Sequence, residues 1–229
     1  MHYTLLDCLL HSGGFLLRLL LCVAILKSGS MLRWRALFTL SGFQCGLAVA
    51  LFAVSSHYEI YFWTYWVCAG VQSIFAIGVI HDIIRNVPGL NHMPKGIAAG
   101  YIGFAVAGIA GVLYLQHPSL SGSVVQAALT LGAAVNFAWY ALLLAILAGI
   151  SRLGFAWLPL PLNVTCGFVL LSISQTISSY TISNWPRYGA AIDRTNSLLS
   201  LVIVIFWVMC FYNKGLLHHH EQTRKRIPA

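Results

Sequence analysis

Long apolar stretches separated by short polar breaks make up almost the whole chain. Crossing the hydrocarbon core of a bilayer takes about 20 mostly apolar residues in a helix. Seven stretches meet that length, at 3–26, 35–56, 61–84, 97–116, 123–149, 157–182 and 195–213. The longest break runs from His81 to Lys95, where Pro88, Gly89 and Pro94 stop a helix. The pattern predicts an all-α fold, a seven-transmembrane helix bundle forming one domain over residues 1–213, followed by a basic tail at 214–229.

The distribution of charge orients this bundle. Lys27, Arg33, Arg35, Arg85, Lys95, Arg152, Lys214, Arg224, Lys225 and Arg226 all fall on one side of the seven crossings. The other side carries only Arg187 and Arg194 among basic residues, and three acids, Asp7, Glu59 and Asp193. Basic loops stay in the cytoplasm, so the expected topology is N-terminus out and C-terminus in, in a cytoplasmic or plasma membrane. An even number of spans would spoil the alternation. The third run opens with Tyr58, Tyr61, Phe62, Trp63, Tyr65 and Trp66, an aromatic belt for the outer interface.

Composition agrees with a lipid environment. Only 8% of the residues are charged and 59% are hydrophobic, whereas a soluble domain carries about 25% charge. The net charge of +8 resides in short loops and the tail, so it reads as a topology signal and nucleic acid is not an expected partner. All six cysteines lie within apolar runs without a C-x-x-C pair, which makes a disulfide framework an unexpected use of them. The first run has no basic leader and contains Asp7 and His11, as a retained helix does and a signal peptide does not. Gly96, Gly100, Gly103, Gly108 and Gly111 give the fourth run a face that another helix can approach closely.

Polar residues inside spans must find partners or line a wet cavity. The sixth run has the most, and Ser172, Gln175, Thr176 and Ser179 share one helical face at i, i+3, i+4, i+7 spacing. Asp193, Asn196, Ser197 and Ser200 form a stripe at the start of the seventh run, and Gln72 and Gln126 lie at similar outer depth. Together these residues are candidates for an outward-facing ligand pocket, with interhelical hydrogen-bond packing as the competing use. Gln44, Asn136 and Asn163 lie deeper, and Pro159 and Pro161 favour a kinked entry to the sixth run that could act as a gate.

Arg18 is the only basic residue well inside a span, and no acid lies at matching depth. Its guanidinium either extends to the cytoplasmic headgroups or faces the bundle and binds an anion or carbonyl groups. Asp82 and Arg85, at i, i+3, can pair at the cytoplasmic end of the third run and form a candidate switch.

Enzyme templates are missing: there is no H-E-x-x-H, G-x-S-x-G or Walker loop, and no metal or cofactor is expected. His57 with His117 and His81 with His92 form two levels that match a di-haem protein only in outline. Residues 24–50 and 145–171 share eight identities, including Cys45-Gly46 with Cys166-Gly167, as a 3+1+3 transporter duplication would. Four functions follow from these features. The leading one is a small-ligand sensor or receptor-like subunit, signalling through a partner membrane or cytoplasmic protein. A small-solute transporter, a structural subunit of a membrane complex and an intramembrane haem protein are the others.

Overall fold

A computed structural model describes residues 5–86, 132, 135, 136, 138–144, 159–184 and 186–225. Every regular element among them is helical: α1 (Leu5–Lys27), α2 (Arg35–Ala53), α3 (Tyr58–Asn86), α4 (Pro159–Asn184) and α5 (Gly189–Lys225), with a short 3₁₀ turn at Pro186–Tyr188. Residues 138–144 are also helical. Among the described residues, five helices are long and apolar enough to cross a membrane. They correspond to the first, second, third, sixth and seventh apolar runs. The fourth run and most of the fifth, with Gln126 and the glycine face, lie outside the described residues.

The chain stops α1 with a specific turn. Gly29 adopts φ 63°, and the Gly29 N–H donates to Leu26 O at 3.0 Å while the Ser30 N–H donates to Ile25 O at 3.2 Å. This is a Schellman closure, in which a left-handed residue lets the last carbonyls of a helix be satisfied, and glycine adopts it without a Cβ penalty. The start of α2 is capped from a distance. Asp82 Oδ2 of α3 accepts the Ala36 N–H at 2.8 Å, and Asn86 Nδ2 donates to Arg33 O at 2.8 Å. Gly78 permits the close approach, since a Cβ there would stand 3.0 Å from the Ala36 Cβ.

The helices form a circuit in chain order. α3 packs on α2, α2 on α1, α1 on α5 and α5 on α4, and α4 touches α3. Segment 138–144 packs on α4 through Trp139 and Phe168, stacked at 4.2 Å with planes 2° apart. The two ends of the bundle are named here for Trp34, in the α1–α2 turn, and Tyr58, at the start of α3. The contacts of Gly14 with Leu201 and Trp34 with Phe211 make α1 and α5 parallel, both running towards the Trp34 end.

Burial is uneven along this axis. The tight core occupies the Trp34 half: Leu21, Ile25, Trp34, Leu37, Val79, Ile83, Val164, Trp207 and Phe211 are buried there. No residue of α3 before Ala76 is buried. Leu16, Leu20, Val23, Val49, Ile74, Ile77, Ile173, Val202 and Phe206 are exposed on the outward faces. An apolar interior with an apolar exterior suits a lipid solvent, because in water such a surface would be a liability.

Two details of the sixth and seventh runs emerge in the structure. The seventh run begins as a helix at Gly189 and continues to Lys225, so the basic tail prolongs α5. Pro159 and Pro161 both lie within α4. They fall in the first turn of α4, where backbone N–H groups lack intrahelical partners in any case, and proline is favoured at the first position.

Candidate functional site

Three interior polar positions meet near mid-length. Arg18 of α1 donates from Nε to Gln44 Oε1 of α2 at 2.8 Å, and its Nη2 reaches Ser200 Oγ of α5 at 3.5 Å. Helix geometry shows that all three face inward. Gln44 continues the buried face of Leu37, Leu40 and Ser41, and Ser200 stands one turn from the buried Ile203 and Val204. Arg18 lies one turn from the buried Leu21, Cys22 and Gly14.

Side chains on a helix lean towards its N-terminus, and Arg18 does so. A Cβ added at Gly14 would lie 2.8 Å from Arg18 Nη1, so the guanidinium occupies the space left open by that glycine. It is therefore directed away from the Trp34 end. Cys45 borders the cluster and its Sγ contacts Phe15 O at 3.7 Å.

Aromatic rings pack the core on the Trp34 side of this cluster. Phe168 lies between Trp139 and Trp207, with the second pair at 4.8 Å. Trp207 fits because Gly167 has no side chain; a Cβ there would stand 2.6 Å from its Nε1. The indole N–H donates to Asn163 O at 3.3 Å. Trp34 meets Phe211 edge-on at 5.8 Å. Towards the Tyr58 end the packing relaxes. Leu47, Ala48 and Leu51 of α2, on the Gln44 face, are only half-buried, as is Gln72 on the corresponding face of α3.

The other residues singled out in the sequence are distributed over two further sets. Asn196 of α5 bridges two serines of α4: it accepts from Ser174 Oγ and its Nδ2 donates to Ser178 Oγ at 2.7 Å. These contacts lie one turn from Ser200. Ser174 and Ser178 occupy the α4 face opposite to the Ser172–Thr176 stripe. On the latter, Thr176 pairs with Tyr140 at 3.4 Å, Ser172 is buried and Gln175 is exposed. Ser179 belongs to the same helix. Asp193 is exposed near the start of α5. A groove of about 360 Å³, lined mainly by Leu170, Ile173, Ile177, Ile192 and Leu199, opens beside the Ser174–Asn196–Ser178 bridge.

The remaining candidates lie at the Trp34 end. Asp82 serves as the distant cap of α2, and Arg35, His81 and Arg85 stand close enough to act on its charge. Among the described residues no three histidines, cysteines or acids converge on a metal position. Cys22, Cys45, Cys68, Cys166 and Cys210 are free thiols. No protein-family model, curated protein or solved structure matches the chain.

Proposed function

We propose that this protein is a seven-helix membrane sensor that binds a small ligand inside the bundle, at Arg18, Gln44 and Ser200, with the Tyr58 end outside. One observation carries this reading. An intramembrane cation, which costs about 2.5–3.5 kcal/mol on insertion scales, is directed inward to neutral partners at the boundary between the packed and relaxed halves of the bundle.

Topology supports seven crossings. α3 ends and α4 begins at the same end of the bundle, as the Asp82–Ala36 and Trp207–Asn163 contacts require. An even number of crossings between them would fit that arrangement, and segment 138–144 packs alongside α4. The apolar runs 97–116 and 123–149 have the length and hydropathy expected of two further crossings. Counting basic residues then orients the Trp34 end to the cytoplasm. Among the described residues aromatic rings fill the core on that side, which supports approach from the Tyr58 end. This packing favours a sensor over a transporter, which needs a gate there.

A triple variant, Arg18→Met with Gln44→Leu and Ser200→Ala, tests this function. Polar groups kept for a ligand lower stability, so their apolar counterparts should unfold at an equal or higher temperature in detergent. A fall in Tm would assign the cluster to helix packing and remove the ligand-site reading.

A further inference from the structure

The chemistry of the interior cluster specifies what it can hold, granted that it is the ligand site. Guanidinium has five N–H donors and no acceptor. The Nε hydrogen is committed to Gln44 and one Nη2 hydrogen to the long contact with Ser200. Among the described residues no acceptor engages Nη1. Gln44 accepts through Oε1, so its Nε2 hydrogens are turned to donate elsewhere. The Ser200 hydroxyl, receiving from Arg18, has its own hydrogen to give. Nη1, Nη2, Gln44 Nε2 and Ser200 Oγ thus bring four donor groups into one cluster, a set whose chemistry suits an anion.

Charge and shape narrow the class further. Arg18 supplies a single positive charge, and no second basic side chain among the described residues lies within the spans at this depth. A monoanion is neutralised there, whereas a dianion would leave a charge uncompensated in a medium that penalises it. The Nη1–Nη2 edge is planar and two-pronged, the geometry that pairs with two coplanar oxygens.

We infer that the ligand is a monocarboxylate, gripped by the Nη1–Nη2 edge of Arg18 with Gln44 and Ser200 donating beside it, and that Gly14 sets the position of the grip. Glycine costs about 1 kcal/mol relative to alanine inside a helix, yet Gly14 is buried on the inward face, where Nη1 takes the place of its Cβ. Alanine there meets only the far end of a flexible side chain. The fold tolerates that contact, while the guanidinium has to leave its position.

Thermal unfolding of the full chain in phosphatidylcholine nanodiscs tests the inference. The probes are sodium acetate, butyrate and benzoate, the matching amides acetamide, butyramide and benzamide, and oleate supplied in the membrane. At least one carboxylate should raise Tm saturably, by about 4 °C at about ten times its Kd, and its amide should not. A response to the soluble acids indicates a free carboxylate, and a response to oleate alone a fatty acid, both within the inferred class. Gly14→Ala should not lower the ligand-free Tm but should weaken binding about tenfold, and Arg18→Gln should abolish the response. Arg18→Lys, which keeps the charge, should weaken it through loss of the two-pronged contact. Equal stabilisation by acid and amide, an unchanged response in Arg18→Gln, or no response to any probe would overturn the carboxylate assignment. The ligand-site reading itself stands or falls separately, on the Tm of the triple apolar variant.

Discussion

Single atoms decide how the packed half of the bundle closes. Gly167 is the clearest case, because Trp207 occupies the volume of the absent side chain. Gly167→Ala should displace the indole, loosen its stack on Phe168 and its bond to Asn163 O, and cost about 1–3 kcal/mol as an overpacked core. A lowered Tm with changed tryptophan emission would report this, and Gly167→Ala combined with Trp207→Phe should recover part of the loss. Gly46, which aligns with it when residues 24–50 are matched to 145–171, has open space at the same position, so the two glycines do different work. Arg18 shows how far residue type alone carries an argument. Its rarity and the lack of an acid at its depth were legible in the sequence. The direction of its side chain depends on Gly14, one turn away, and on which face of α1 meets α2 and α5.

At the level of helices, polar stripes proved more readable than their partners. The sixth apolar run announced an unusual density of serine and threonine, and the seventh a stripe including Asn196 and Ser200. Spacing identified the Ser172–Thr176 face but not the second pair, Ser174 and Ser178, although their i, i+4 relation was present to be found. Asn196 joins that second pair, so the stripe acts as a clamp between α4 and α5. Interhelical hydrogen bonds in a bilayer average about 0.6 kcal/mol. Asn196→Leu, removing two of them, should therefore cost about 1 kcal/mol, measured as a modest fall in unfolding free energy in mixed micelles. A similar logic governs Asp82. Asp82→Ala removes the acceptor for the Ala36 N–H and should destabilise the start of α2 by about 1 kcal/mol. Hydrogen exchange at Ala36 should accelerate, while Asp82→Asn should largely preserve protection. The local spacing of Asp82 and Arg85 pointed to a pair within α3; the cap on another helix arises from the α1–α2 turn and was invisible to it.

For the whole molecule, hydropathy alone made the membrane reading available, since only lipid can accommodate chains apolar inside and out. Helix order around the bundle was not legible, because length and hydropathy say nothing about which outward face meets which neighbour. The circuit α3–α2–α1–α5–α4 places residues far apart in sequence, Arg18 and Ser200, on one interior point. Above that point the interior is loosely packed, and below it Trp139, Phe168, Trp207, Trp34 and Phe211 fill the space. One-sided access to the cluster is therefore the central property of the proposed site. Its most direct test is labelling of Ser200→Cys, in a variant with the native cysteines replaced, by a membrane-impermeant thiol reagent applied to each side of oriented vesicles. Modification from the Tyr58 side alone, slowed by the stabilising carboxylate, is the predicted result. Modification from the Trp34 side, or by lipid-soluble reagents only, would contradict an interior site open to the outside.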